Sequence, residues 1–245
     1  MEAKFADKLK QEIPPESLTE DNGIIFYLDN KFITGDNEKF MKMYNWMSNG
    51  YDIAETVIGK IKYGNSIKKC RQGLMNRLEW RNGIDVLYVS IGTGKDIQFI
   101  PSSIDLKTVD FTGIDISLGM LKECKKKYSS KTNLTLVNCC GESLPFKDNQ
   151  FDIVFHIGGI NFFNDKELAI NEMIRVAKPG TKLLIADETA DYIDKQYKNS
   201  ILSKKYFKDK TFDLSGFENL IPNTLKEKKT ELIWEDKFYC ITFRK

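Results

Sequence analysis

The sequence predicts an α/β fold whose core is a mostly parallel, doubly wound sheet. From residue 85 onward, short apolar runs alternate with segments whose apolar residues recur at helical spacing. Such alternation is typical of β-α-β units, in which helices connect parallel strands and cover the sheet. The end of the chain differs, because two alternating apolar runs are separated there by a tight turn at Glu235 and Asp236. A connection this short permits only an antiparallel pair, so the sheet should end in a hairpin.

Seven strands are predicted, five in the parallel part and two in the closing hairpin. They cover residues 85–91, 111–116, 134–139, 151–157, 182–186, 230–235 and 237–244. The clearest helices between them are predicted over residues 118–127 and 166–177.

Residues 1–60 are predicted to form an N-terminal helical cover with a hairpin. Residues 24–35 alternate in polarity, and Asp29 and Asn30 are the expected hairpin turn. Residues 37–59 carry apolar side chains at helical spacing, with one break.

Residues 61–245 are the predicted main domain. This domain begins with a helix in 65–80 and carries a polar and aromatic insertion at 190–226. We expect the cover and the insertion to lie over the carboxyl edge of the sheet, where ligands bind in this architecture.

Composition limits the class of protein further. A chain of 245 residues with 41% hydrophobic content is long enough for one large core. The net charge of +2 gives no electrostatic reason to expect a nucleic acid partner. The chain holds no run of about 18 apolar residues, so we expect no membrane span and a cytoplasmic location. Five cysteines without a framework spacing favour reduced thiols.

The single histidine, His156, excludes several kinds of chemistry. A zinc site with two histidine ligands cannot form, and no two cysteines have C-x2-C spacing. The G-x-S-x-G sequence of many serine hydrolases is also missing. We therefore expect no metal site, and a hydrolase is disfavoured.

A glycine turn and a lone acid indicate a nucleoside-containing cofactor. Gly92, Thr93 and Gly94 follow one apolar run, and Asp115 ends the next, about 20 residues later. The turn lets the backbone approach a ligand, and a carboxylate can accept hydrogen bonds from both ribose hydroxyls. As an alternative, Gly92–Gly94 is a tight turn without a ligand, and Asp115 caps the following helix.

The details of this turn disfavour phosphate-bearing cofactors. A dinucleotide site needs a third glycine where the chain has Ile97, and a P-loop needs glycine where it has Val89. Asp96 would also repel a phosphate at the following helix start. S-adenosylmethionine, a nucleoside without phosphates, is the cofactor that fits.

Four motifs then carry a resemblance to a known family. They are VLYVSIGTG, GIDISLGMLKECKKK, LPFKDNQFDIVF and INEMIRVAKPGTKLLIADE, in this order. Over residues 44–189 the chain resembles class I S-adenosylmethionine-dependent methyltransferases of type 11, the ubiquinone-menaquinone biosynthesis branch. The resemblance implies a Rossmann-like fold, S-adenosylmethionine as cofactor, and in-line methyl transfer to a small-molecule acceptor at O, N or C.

The resemblance also implies a set of cofactor-binding residues. These are Tyr51, Ser90, Gly92, Thr93, Gly94, Asp115, Ile116, Met120, Cys140, Gly141, Glu142, His156 and Ile157. Tyr51 belongs, with Tyr44 and Asp52, to an element expected either to close the methionine pocket or to lie on a packed helix face. His156 is either the general base for the acceptor or a residue that lines the cofactor; Cys140 either contacts adenine or is simply buried.

The chain departs from the family pattern at three positions. Tyr88 replaces the usual acid of the first strand, Ser90 replaces the usual first glycine, and Cys140 replaces an Asp or Asn. A small serine should weaken cofactor binding rather than abolish it. Cysteine is a poor acceptor, so the contact to adenine would pass to the backbone or to Glu142.

These departures keep a second function open. The chain could bind S-adenosylmethionine or S-adenosylhomocysteine without methyl transfer, as a sensor or a partner subunit. Neither the acceptor nor the oligomeric state follows from the sequence.

Overall fold

The computed structural model describes residues 3–197, 207 and 216–245. Within them lies one nine-stranded sheet with the order β1-β2-β5-β4-β3-β6-β7-β9-β8. The strands are β1 Thr19–Asp21, β2 Ile24–Phe26, β3 Asp85–Val89, β4 Asp110–Asp115, β5 Asn133–Asn138, β6 Ile153–Ile157, β7 Lys182–Glu188, β8 Lys226–Ile233 and β9 Phe238–Arg244.

The predicted mostly parallel sheet with an antiparallel hairpin at its end is confirmed. Strands β2 to β7 pair in parallel, whereas β9 pairs antiparallel with both β7 and β8. The predicted number of seven strands was wrong, because the antiparallel pair β1–β2 extends the sheet beside β5. Ile24 and Ile25 are buried there, but a three-residue strand is too short to show an alternating pattern.

The predicted N-terminal hairpin turn was misplaced. The chain turns at Asn22 and Gly23, both with positive φ (49° and 63°), as hairpin turns of the Asn-Gly type require. Asp29 instead caps the short 3-10 helix Asn30–Phe32 by accepting a hydrogen bond from the backbone N–H of Lys31 at 2.9 Å. The Asn-Gly pair was therefore the stronger hairpin signal.

Seven α-helices are described. They are α1 Ala3–Ala6, α2 Gly35–Met47, α3 Tyr51–Tyr63, α4 Ser66–Met75, α5 Leu118–Tyr128, α6 Lys166–Val176 and α7 Ala190–Tyr197. The break between α2 and α3 falls at Gly50, whose φ of 87° suits glycine. Ser117 caps α5, its hydroxyl accepting from the backbone N–H of Met120.

Helices pack on both faces of the sheet. Along β3, Val86 and Tyr88 face a layer that includes α4 and α5, and Leu87 and Val89 face a layer that includes α6. All four side chains are buried, as expected for a central parallel strand. The carboxyl edge of the sheet is covered instead by α2 and α3.

Only part of the predicted cover lies over that edge. Leu9 packs in the layer with α6, and the backbone N–H of Lys10 donates to the carbonyl of Pro145 at 2.9 Å. Lys8 pairs with Asp85 at the start of β3, so residues 3–13 lie away from the carboxyl edge. The division of the chain at residue 60 stays a prediction, and much of the 190–226 segment lies outside the described residues.

No helix in the described part of the chain combines the length and apolarity needed to cross a bilayer.

Candidate functional site

A cavity of about 530 Å³ opens at the carboxyl ends of the central strands, beneath α2 and α3. Eleven of the predicted site residues line it. They are Tyr51, Ser90, Gly92, Thr93, Asp115, Ile116, Met120, Cys140, Gly141, Glu142 and Ile157. Two others, Gly94 and His156, are not part of the lining.

Asp115 presents a buried carboxylate to the cavity. Its side-chain oxygens accept hydrogen bonds from the backbone N–H groups of Gly92 and Ser117, each at 2.8 Å. These two bonds orient the carboxylate, and each oxygen keeps a lone pair for a further donor. Burial raises the pKa of Asp115 to about 6, against which the two backbone N–H groups act. The group can therefore accept two hydroxyls in its ionised form.

The two glycines of the turn have different surroundings. Gly92 has a φ of 54°, and a Cβ added to it would meet nothing within 4 Å, so this position faces the open cavity. A Cβ on Gly94 would lie 2.8 Å from Sγ of Cys124 and 2.9 Å from the ring of Tyr128. Gly94 thus permits close packing of the turn against α5, and its predicted contact with a cofactor stays a prediction. Ser90 holds the left-handed conformation (φ 55°), which is strained for a residue with a Cβ.

Tyr88 is hydrogen-bonded to an acid, Asp96. The Tyr88 hydroxyl donates to Oδ2 of Asp96 at 2.5 Å, and Nη1 of Arg71 lies 2.7 Å from both carboxylate oxygens. The Tyr88 ring stacks on Phe155 with centroids 4.2 Å apart. Tyr88, Arg71 and Asp96 all line the cavity. These contacts of Asp96 could not be predicted from the sequence, because Arg71 lies in α4 and no spacing pattern connects the two residues.

Cys140 belongs to a buried group with Glu142 and Asn37. The Cys140 thiol donates to the Glu142 carboxylate, which also accepts from Nδ2 of Asn37 at 3.0 Å. Burial raises the pKa of Cys140 and keeps it a neutral thiol. Glu142 is therefore the hydrogen-bond acceptor of this buried group. Asn37 comes from α2, far away in sequence, and no spacing pattern indicated it.

Asp52 connects α3 to the glycine turn. Its Oδ1 accepts from the Thr93 hydroxyl at 2.7 Å, and its other oxygen pairs with Lys127 of α5. Tyr51 lines the cavity next to it, edge-on to Tyr44 at 6.1 Å. The two tyrosines close one side of the cavity.

His156 is buried and is not part of the cavity lining. It is fully buried in β6, with its ring edge-on to Phe163 at 5.8 Å. Neither ring nitrogen has a hydrogen-bonding partner among the described residues, and burial lowers its pKa to about 3. An imidazole with so low a pKa is a weak base, so the burial of His156 disfavours the general-base role, which stays a prediction.

Replacing His156 with Leu is expected to stabilise the protein. The change removes two buried polar atoms without partners, a gain of about 1–3 kcal/mol in the free energy of unfolding. In the unfolded chain, His156 has its ordinary pKa of 6.5 and binds a proton below that pH. In the folded chain, His156 stays unprotonated down to about pH 3. Wild-type stability linked to this group is thus complete above pH 6.5 and falls by about 1.4 kcal/mol per unit below it.

Urea denaturation of both proteins at pH 7.5 and pH 5 checks this expectation. Because the chain has one histidine, the difference between the two proteins isolates His156 from every carboxylate. We expect that difference to grow by about 2 kcal/mol on going to pH 5. A difference that does not change with pH would contradict the low pKa.

Comparison with known proteins shows that the chain is similar to methyltransferases. A family model described as a methyltransferase domain matches residues 87–185. The ubiquinone/menaquinone biosynthesis C-methyltransferase of Geotalea daltonii is 28% identical over 159 residues, 63% of this chain and 65% of that protein. The demethylmenaquinone methyltransferase of Staphylococcus aureus (strain MRSA252) is 34% identical over 152 residues, 62% of this chain and 60% of that protein. The aligned part of the chain spans less than two thirds of either relative.

Solved structures show the same fold. An S-adenosylmethionine-dependent methyltransferase of Thermotoga maritima superposes with a TM-score of 0.59 at 18% identity, covering 83% of this chain and 99% of that one. A putative S-adenosyl-L-methionine-dependent methyltransferase of Methanococcus maripaludis has a TM-score of 0.59 at 16% identity, with 82% and 93% covered.

The predicted family resemblance and the Rossmann-like fold are therefore confirmed. The family match runs from β3 into β7 and contains Gly92, Asp115 and Glu142, three of the residues that line the cavity. Residues 87–185 of this chain thus match a methyltransferase domain.

Proposed function

We propose that this protein binds S-adenosylmethionine and transfers its methyl group to a small-molecule acceptor. The observation that carries the proposal is the oriented carboxylate of Asp115, which faces the Gly92 turn inside one cavity of a methyltransferase domain. The expectations of a cytoplasmic location and of no nucleic acid partner remain predictions.

The residues of the cavity fit this cofactor. Asp115 offers two oxygens to the ribose hydroxyls, and the open face of Gly92 leaves room for backbone contact. The Cys140 thiol donates its proton to Glu142 and so offers no acceptor to the cofactor. The hydrogen bond from the adenine amino group would therefore go to the Glu142 carboxylate. Asp96 would accept from the amino group of the methionine end, in place of the acid missing at Tyr88.

The cofactor supplies a methyl group on a positively charged sulfur, so neither a metal nor a covalent intermediate on the protein is required. The protein's part is to align the acceptor with the methyl carbon at about 3–3.5 Å and to keep water out. Tyr44 and Tyr51 of α2 and α3 supply the apolar cover for this purpose. His156 has no part in that arrangement.

Binding without methyl transfer is the second candidate function. Arg71 neutralises the carboxylate of Asp96, and Ser90 puts a strained side chain at the turn. Ser90 departs from the family pattern, and both features favour a site with altered cofactor contacts.

Calorimetric titration with S-adenosylmethionine and S-adenosylhomocysteine tests cofactor binding first. Micromolar binding of both is expected, and binding of neither would contradict the proposed function. Release of S-adenosylhomocysteine in the presence of an acceptor then separates the two candidates, because a sensor or partner subunit would bind the cofactor without turnover.

A further inference from the structure

The cavity continues from the glycine turn toward the ends of β6 and β7. In the strand order, β4 and β3 carry Asp115 and the Gly92 turn, and β6 and β7 are the next two strands beyond β3. Gly158, Gly159 and Asp187 line this part of the cavity, here called the β6–β7 side. It adjoins the place at which Asp115 and Gly92 would hold the cofactor.

Asp187 is a buried acid at the carboxyl end of β7, with only 1% of its surface exposed. Its Oδ2 accepts from the backbone N–H groups of Gly159 and Asn161, both at 3.0 Å, and its Oδ1 accepts from the backbone N–H of Glu188 at 2.8 Å. The partners that the described residues give this carboxylate are therefore neutral N–H groups. They fix its orientation and favour its ionised form, but they do not cancel its charge.

The loop after β6 is fixed around this acid. Nδ2 of Asn161 donates to the carbonyl of Glu188 at 2.7 Å, and Oδ1 of Asn161 accepts from the Tyr239 hydroxyl at 2.9 Å. The backbone N–H of Gly158 donates to the carbonyl of Ala186 at 2.9 Å. Because its neighbours are held in this way, the carboxylate keeps one position, and its field in the cavity is preorganised.

Asp187 is ionised at neutral pH. Burial raises its pKa to about 6, and the backbone N–H groups of Asn161, Glu188 and Gly159 oppose that rise. The negative charge is therefore present at pH 7.5.

The cationic side chains of the cavity lining lie on another side. Among the described lining residues these are Arg71 and Lys95. Nη1 of Arg71 lies 2.7 Å from both carboxylate oxygens of Asp96, and Lys95 directly follows Gly94 in the glycine turn. Negative charge therefore dominates the β6–β7 side.

Tyr44 shows that the field of Asp187 extends into the cavity. Burial raises the pKa of this tyrosine well above its ordinary value, and Tyr51, Glu188, Asp187 and Asp115 add to the rise in that order. A phenol loses its proton less readily near a negative charge. Asp187 and Asp115 thus both act electrostatically on one side chain of the cavity lining.

The covalent structure of S-adenosylmethionine limits where its sulfur can lie. The sulfur joins the ribose, which Asp115 would bind, to the methionine chain, whose amino group would contact Asp96, so it would lie between these two contacts. The methyl group must face open space for an acceptor to approach in line. Since adenine would occupy the side of Glu142, that open space is the β6–β7 side, and the positive sulfur would face Asp187.

Resting on the proposed function, we propose that Asp187 makes the site selective for the positively charged form of the cofactor. Methyl transfer removes the positive charge from sulfur, whereas the adenosine and methionine ends stay the same. A fixed negative charge in a largely enclosed cavity stabilises the sulfonium form and gives the neutral thioether no such gain. S-adenosylmethionine therefore binds more tightly than S-adenosylhomocysteine, and this difference favours exchange of the spent product for fresh cofactor.

Calorimetric titration of wild-type protein at pH 7.5 with three ligands measures this selectivity. S-adenosylmethionine carries a positive charge on sulfur, sinefungin carries a protonated amine at the corresponding position, and S-adenosylhomocysteine is neutral there. We expect each cationic ligand to bind about tenfold more tightly than S-adenosylhomocysteine. Equal affinity for all three, or tighter binding of S-adenosylhomocysteine, overturns the proposal. Binding of none of them would instead contradict the proposed function.

Asp187→Asn assigns the selectivity to this carboxylate. The change removes the charge and replaces one acceptor oxygen. A loosened loop after β6 would weaken all three ligands alike, whereas loss of the charge weakens only the two cationic ones. We therefore expect the ratio of cationic to neutral affinity to fall from about ten to about one. A ratio that stays at the wild-type value overturns the proposal.

Two further variants separate charge from packing. Asp187→Glu keeps the charge, so it should keep the preference for the cationic ligands even if its longer side chain lowers every affinity; loss of the preference in this variant also overturns the proposal. Asp236→Asn is the matched control. It removes the same charge from an exposed residue of the β8–β9 turn, outside the cavity lining, at a φ of 59° that asparagine tolerates. Its affinity ratio should equal that of the wild type.

Discussion

Replacing Asp115 with Ala is expected to weaken the binding of S-adenosylhomocysteine by about 1.5–3 kcal/mol, or roughly 10- to 150-fold. The carboxylate is already oriented by Gly92 and Ser117, so the folded protein pays little further ordering cost when ribose hydroxyls bind. Calorimetric titration at pH 7.5 measures the loss directly. Unchanged affinity in the Ala variant would reject the assignment of Asp115 to the cofactor.

The pH dependence of binding provides an independent check. Because burial raises the pKa of Asp115 to about 6, its hydroxyl-accepting ionised form dominates only above that pH. Wild-type affinity should therefore be nearly constant above pH 7 and about tenfold lower at pH 5, with proton release on binding in the acidic range. Asp115→Asn should lose this dependence. Asp187, whose pKa burial also raises to about 6, is unchanged in that variant, so the comparison isolates Asp115.

Replacing Gly92 with Asn is expected to weaken cofactor binding about tenfold or more without unfolding the protein. Asn adopts a φ near 54° more readily than most residues, and the added atoms meet nothing in the protein. They extend into the cavity, where a bound cofactor would be overpacked by about 1–3 kcal/mol. Titration with both cofactor forms and a thermal unfolding curve measure the two effects separately.

Gly83→Asn is the matched control for this variant. Gly83 has a similar φ of 74°, is equally open to an added Cβ, and lies in the turn before β3 outside the cavity lining. It should share any small change in thermal stability but keep wild-type cofactor affinity. A Gly92→Asn protein that binds both forms normally would show that the turn does not contact the cofactor.

Much of the fold could be predicted because its signals are local. Apolar runs of strand length, separated by helices capped at Ser117 and Asp165, require parallel pairing whatever the rest of the chain does. The β1–β2 pair escaped prediction, since three-residue strands carry no periodicity and are stabilised by burial against β5. Its turn at Asn22 and Gly23 was visible in the sequence, but a second turn-like pair at Asp29 and Asn30 competed with it.

The predicted site likewise contains features that the sequence could show and features that it could not. Gly92 and Asp115 were found because consecutive parallel strands bring their carboxyl ends together, which makes spacing along the chain a measure of proximity. Gly94 follows the same motif, yet its α-carbon faces α5 rather than the cavity. The motif identifies the turn but does not tell which side of it meets the ligand.

By itself, the sequence determined the parallel part of the sheet, the glycine turn and the acid that faces it, because each depends on residues within consecutive β-α-β units. Only the tertiary structure decided that Arg71 holds Asp96 under Tyr88, and that Asn37 reaches Glu142. The same is true of the direction in which His156 points. These contacts depend on how helices from distant parts of the chain pack over the carboxyl edge of the sheet. Such packing produces no periodic pattern of residues, so it cannot be predicted from the sequence.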